Sequence, residues 1–102
     1  MKTIIEELDE NIIVTMIGSL DTAAALETEQ ILKPVTAEET AKDIVIECQK
    51  LEYIASSGLR ILMSILKGAK AGGSKVILRH VNDDICNVFR LTGFIGLFEF
   101  ED

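Results

Sequence analysis

The chain has 102 residues, of which 48% are hydrophobic and 26% are charged, which suits one domain with its own core. The net charge of −7 at pH 7 argues against binding to nucleic acid or to an anionic membrane, because both need clustered Lys and Arg. No apolar run approaches the roughly 18 to 20 residues that span a bilayer, and no signal peptide is visible. We therefore expect a single cytoplasmic domain over residues 1–102, without membrane insertion.

The two cysteines, Cys48 and Cys86, lie at a spacing that matches no metal-ligand pattern. Cys48 falls in an apolar strand-like run and Cys86 in a helix-like run. Because free cysteine is among the most frequently buried residue types, we expect two reduced core thiols. The sequence predicts no metal site and no cofactor.

The first third of the chain predicts a hairpin followed by a helix. Lys2–Leu8 and Ile12–Ile17 are rich in β-branched residues and are joined by a short polar turn, which is typical of paired antiparallel strands. Asp21 is a favourable N-cap residue for a helix over Thr22–Lys33. Pro34 is expected to end that helix.

Strands and helices alternate along the rest of the chain, and this order predicts a mostly parallel sheet with crossover helices. Thr36 and Glu39 could form a capping box for one more short helical turn. The predicted elements are a strand Ile44–Cys48, a helix Leu59–Lys70, a strand Lys75–Arg79, a helix from Asn82 or Asp83 to about Leu91, and a strand Ile95–Phe100. The fold class is therefore α/β, with a mixed sheet of about five strands, an N-terminal hairpin and three to four helices.

The helix over Leu59–Lys70 carries two apolar stripes rather than one. The first comprises Leu59, Leu62, Met63 and Leu66, and the second comprises Ile61 and Ile65. A helix packed on one side of a sheet needs a single broad stripe. The pattern leaves two interpretations open: a deeply buried helix, or a second stripe that contacts a partner.

Two hydroxyl residues and a glycine, Ser56, Ser57 and Gly58, lie where a strand gives way to this helix. The first N–H groups of a helix lack internal acceptors, and the helix dipole makes that end electropositive. A serine here can act as an N-cap. The same N–H groups would also stabilise a phosphate on that serine, so the junction fits either a plain cap or a regulatory site.

The residues needed for catalysis are not grouped by any pattern in the sequence. The single histidine, His80, follows a predicted strand and is expected to lie at the surface. Neither a Gly-x-Ser-x-Gly nucleophile motif nor a phosphate-binding loop is present. We therefore expect a protein that is not an enzyme.

Three motifs follow one another at the spacing of a known family. They are Gly18-Ser19-Leu20-Asp21, then Tyr53-Ile54-Ala55-Ser56-Ser57-Gly58-Leu59, and then Phe89-Arg90-Leu91-Thr92-Gly93-Phe94 with Leu97-Phe98. Over nearly its whole length the chain resembles STAS domains, most of all the stand-alone anti-sigma factor antagonists of bacteria.

The resemblance implies a switch in which Ser57 is phosphorylated by an anti-sigma factor that is a serine kinase. The unmodified antagonist would bind the anti-sigma factor and free the sigma factor, and a serine phosphatase would reverse the modification. The resemblance implies a partner-binding set made of Asp21, Ser56, Ser57, Gly58 and Leu59. A monomer is the expected free form.

Two positions depart from the family pattern. Ala55 stands where an acidic residue is usual, and Glu47 stands where the preceding strand usually has aspartate. Two other functions stay open. One is a constitutive subunit, such as the STAS subunit of a lipid-transport ABC complex, and the other is a module that binds a nucleotide or another small ligand.

Overall fold

The structure is a computed structural model that describes residues 1–33 and 42–101. Strands and helices alternate after an initial hairpin. Their bounds are β1 (Lys2–Glu7), β2 (Asn11–Leu20), α1 (Thr22–Ile31), β3 (Asp43–Ile54), α2 (Ser56–Ala71), β4 (Val76–Arg79), α3 (Asp83–Thr92) and β5 (Glu99–Glu101). Within these ranges no helix is long and apolar enough to cross a membrane.

The strands form one sheet in the order β1-β2-β3-β4-β5. β1 pairs with β2 antiparallel, and the other neighbouring strands pair in parallel. The predicted α/β class, the N-terminal hairpin and the mixed sheet are confirmed, with three helices in the described part of the chain. The predicted turn at Thr36 and Glu39, and the stop at Pro34, fall outside the described residues.

The core lies between one face of the sheet and the helices. Val14, Ile46 and Leu78 pair across β2, β3 and β4, and all three belong to one buried cluster that includes residues of every described helix. In α2, Ile61 and Ile65 are buried, like the three leucines of the first stripe, whereas Met63 is half-buried. The deeply buried interpretation of α2 is therefore correct, and a second stripe reserved for a partner is wrong.

β3 is much longer than the predicted strand Ile44–Cys48, because the polar residues after Cys48 continue it. The register between β2 and β3 shifts twice, between Thr15 and Ile17 and again between Gly18 and Ser19. Each shift places an extra residue in β3, which breaks the alternation of buried and exposed positions. The irregular pattern of polar residues after Cys48 therefore indicates bulges in a strand rather than a loop.

β5 is shorter than the predicted strand Ile95–Phe100. The backbone N–H groups of Ile95 and Leu97 donate to carbonyl oxygens of Phe89 and Phe94, at 3.1 Å each, so they form turn bonds rather than a ladder. Phe98 then packs edge-on against Phe89, with ring centroids 5.6 Å apart. The apolar run after α3 therefore fills the core before it joins the sheet.

Both cysteines are free thiols. Cys48 is buried as predicted, and burial, with a smaller contribution from the negative charge of Glu47, raises the pKa of its thiol to about 12. Cys86 is only half-buried and lies outside the core cluster, so its assignment to the core is wrong.

Candidate functional site

The β3–α2 junction starts at Ala55, which is the N-cap residue of α2. Its backbone is extended, with φ −90° and ψ 169°, and it provides no side-chain cap. The first helical bond runs from Leu59 N–H to the Ala55 carbonyl oxygen at 3.0 Å. The N–H groups of Ser56, Ser57 and Gly58 therefore have no acceptor within the helix.

Ser57 is the second residue of α2, so of the two alternatives left open for it, the plain N-cap is wrong. The extended residue that precedes the helix is Ala55, and only that position can cap it. The Ser57 hydroxyl donates instead to Thr22 Oγ1 at 3.5 Å, a long and weak contact. Ser57 is half-buried and Ser56 is exposed, so both hydroxyls reach the surface.

Asp21 caps α1, as predicted, and its Oδ1 accepts a hydrogen bond from Ala24 N–H at 2.8 Å. The Ala55 N–H donates to the Leu20 carbonyl oxygen at 2.9 Å, which joins the end of β2 to the junction. The starts of α1 and α2 therefore lie side by side, with Thr22 next to Ser57. Thr22 was not among the predicted site residues, although its position directly after Asp21 was a usable signal.

Gly58 and Leu59 are buried, so they position the site rather than present side chains at its surface. A Cβ at Gly58 would lie 2.8 Å from Leu20 Cγ and 2.9 Å from Ile54 Cγ1. Only glycine lets α2 start this close to the ends of β2 and β3. Of the predicted partner-binding set, Asp21, Ser56 and Ser57 remain accessible.

Two grooves flank the start of α2. The α1–α2 groove is about 230 Å³ and includes Thr22, Leu26, Ser57 and Arg60 in its lining. Its most exposed apolar residue is Leu26, at 72%. The second groove is about 350 Å³ and separates α2 from the segment after α3, where Phe94 lies. An exposed leucine therefore lies in the same groove as the accessible Ser57.

Two further polar side chains, His80 and Glu47, contact each other. His80 lies at the surface as predicted, and its Nδ1 is within hydrogen-bond distance of a carboxylate oxygen of Glu47, at 2.8 Å. Within residues 1–33 and 42–101, no group of three or more His, Cys, Asp or Glu side chains could hold a metal ion.

Comparison with known proteins gives relatives along nearly the whole chain. An anti-sigma-B factor antagonist of Staphylococcus aureus is 29% identical over 80 residues, which are 78% of this chain and 73% of that protein. An anti-sigma factor antagonist of Mycobacterium paratuberculosis has a TM-score of 0.80 at 27% identity, over 98% of this chain and 84% of that one.

Two structures of SpoIIAA share the fold at lower identity. The unphosphorylated form has a TM-score of 0.75 at 16% identity, over 99% of this chain and 87% of that one. The phosphorylated form, from Bacillus, has a TM-score of 0.76 at 18% identity, over 99% of this chain and 91% of that one. The family model described as the STAS domain matches residues 2–102. The chain belongs to the STAS domain family.

Proposed function

We propose that this protein is an anti-sigma factor antagonist whose binding to an anti-sigma factor ends when Ser57 is phosphorylated. The observation that carries the proposal is the accessible Ser57 hydroxyl at the start of α2, held by one long contact to Thr22. A serine tied into a cap would be less available to a kinase. The relatives named as anti-sigma factor antagonists support the same function.

The surroundings of Ser57 favour a switch that leaves the fold intact. A phosphate adds about −1.5 to −2 charges at pH 7. The unpaired N–H groups at the start of α2 would stabilise that charge within the free domain. In a complex, the same charge would lie beside the exposed Leu26, where an apolar contact with a partner would be lost. Phosphorylation is therefore expected to act on binding rather than on folding.

Ala55 strengthens this interpretation of the site. An acidic residue at an N-cap position would accept a hydrogen bond from the start of the helix, whereas Ala55 accepts none through its side chain. The N–H groups of Ser56, Ser57 and Gly58 thus keep their full capacity to bind a phosphate or a partner oxygen. A kinase partner would have to recognise this junction without a carboxylate at position 55.

A phosphotransfer assay tests the proposed site. The protein is incubated with ATP and a purified anti-sigma factor of the serine-kinase type from the same genome, and its intact mass and phosphopeptides are measured. We expect one phosphate on Ser57, lost in Ser57→Ala and retained in the matched control Ser56→Ala. A phosphate on Ser56 instead would contradict the assignment of Ser57. No phosphate with any such kinase would contradict the switch itself and favour a constitutive subunit. In the proposed cycle a serine phosphatase then removes the phosphate.

A further inference from the structure

One face of α2 is positively charged in a protein that is otherwise strongly acidic. The chain has 17 acidic and 10 basic side chains, yet the 16 residues of α2 include Arg60, Lys67 and Lys70 and no Asp or Glu. All three are exposed. Within the described residues, the ion pairs of lysine and arginine join Lys42 to Glu7, Lys75 to Glu99 and Arg79 to Glu101. In the described part of the chain, none of these three cations of α2 forms an ion pair, although Glu29 lines the opposite groove, between α1 and α2.

An apolar groove runs along the same face, between α2 and the segment that follows α3. Its first part is about 350 Å³ and starts at Ser56. Its second part is about 400 Å³ and extends to Lys70. The two parts share Arg60 and Met63, so they form one continuous surface, which we call the α2 groove. Leu97, 41% exposed, forms part of its outer wall.

The dimensions of the α2 groove fit one helix. From Ser56 to Lys70 the axis of α2 rises about 21 Å, at about 1.5 Å per residue, which matches about four turns of a second helix. Met63, Leu66 and Leu97 offer the apolar floor and wall that such a helix requires. Lys67 and Lys70 lie along its border and would face carboxylates on the bound helix.

We propose that the α2 groove binds an acidic amphipathic helix of the anti-sigma factor, with its apolar side against Met63 and Leu97 and its carboxylates against Arg60, Lys67 and Lys70. This inference rests on the proposed function, because it assigns the binding element of the same partner. It also links binding to the switch. Arg60 lies three residues after Ser57 and thus on the adjacent turn. A phosphate on Ser57 therefore competes with the carboxylates of the acidic helix for Arg60, and it repels that helix.

The direct test measures the affinity of the anti-sigma factor for charge-reversed variants. Lys67→Glu with Lys70→Glu is expected to weaken binding about 10-fold or more at low salt. The matched control, Lys2→Glu with Lys50→Glu, has the same total charge, changes exposed cations outside the groove, and is expected to bind within about 3-fold of the unmodified protein. At about 0.5 M salt the difference should shrink, because exposed charges are screened. Leu97→Asp should also weaken binding about 10-fold.

The outcomes separate this inference from the proposed function. If phosphorylation of Ser57 abolishes binding while both groove variants bind normally, the groove assignment is wrong and the switch stands. Equal losses in the groove and control variants would also overturn the assignment. Loss of self-association in the groove variants, with partner affinity unchanged, would identify a second copy as the occupant instead.

A second probe makes the test independent of the anti-sigma factor. An amphipathic peptide of about 15 residues, with leucine on one side and glutamate elsewhere, is titrated into the labelled protein and followed by NMR. Shifts are expected in residues 60–70 and 92–97, and the same peptide with lysine in place of glutamate should produce none. Shifts elsewhere, or equal shifts with both peptides, would overturn the proposal.

Discussion

Aspartate at position 57 is expected to lower the affinity for the anti-sigma factor by about 30-fold or more. A buried interfacial charge without a partner costs about 2 kcal/mol or more, and about 1.4 kcal/mol corresponds to a factor of ten. Ser57 lies in the α1–α2 groove beside the exposed Leu26, where a bound partner would exclude water from the added carboxylate. Isothermal titration calorimetry with the purified anti-sigma factor measures the loss.

Two neutral variants at position 57 separate the effect of the charge on affinity from the effect of side-chain shape. Ser57→Asn has nearly the shape of the aspartate without its charge, and Ser57→Ala removes only the hydroxyl with its long contact to Thr22. Both are expected to bind within about 5-fold of the unmodified protein, since the lost contact is worth at most about 1 kcal/mol. If Ser57→Asn weakens binding as much as Ser57→Asp does, the shape of the side chain rather than its charge controls the complex.

Alanine at position 58 is expected to destabilise the fold by about 1–3 kcal/mol. The added Cβ would lie 2.8 Å from Leu20 Cγ and 2.9 Å from Ile54 Cγ1, and both neighbours are buried, so they cannot turn away into solvent. Overpacking of this kind outweighs the gain of up to about 1 kcal/mol in helix propensity. Urea denaturation should show a lower midpoint with an unchanged slope.

A second glycine provides the control for this experiment. A Cβ at Gly96 would have no neighbour within 4 Å, so Gly96→Ala is expected to change the free energy of unfolding by less than about 0.5 kcal/mol. If Gly58→Ala is as stable as Gly96→Ala, the close approach of α2 to β2 and β3 is not what requires glycine after the two serines.

The order of the elements could be predicted because each carries a clear local signal. Ile12–Ile17 has the β-branched run of a strand, and Asp21 has the side chain of an N-cap, which it uses. The true extent of β3 could not be predicted, because its two bulges depend on pairing with β2. The periodicity of a sequence predicts a regular strand. It cannot predict a bulge, because the position of the extra residue depends on pairing with the neighbouring strand.

The sequence predicts the junction that holds Ser57, but not the residue at which α2 begins. Ser57 was placed at the correct junction, but α2 begins three residues earlier than the apolar pattern indicated, at Ser56. The polar start of a helix carries no apolar stripe, so its boundary is poorly marked. The contact with Thr22 joins residues that are 35 positions apart, and only the folded sheet brings them together.

In the proposed switch, the phosphate on Ser57 decides whether the complex with the anti-sigma factor forms. The most direct measurement compares, in one calorimetric series, the affinity of that partner for the unmodified protein and for the protein phosphorylated stoichiometrically on Ser57. We expect a tight complex with the unmodified protein and an affinity lower by about 100-fold or more for the phosphorylated one. Equal affinities for the two forms would contradict the account.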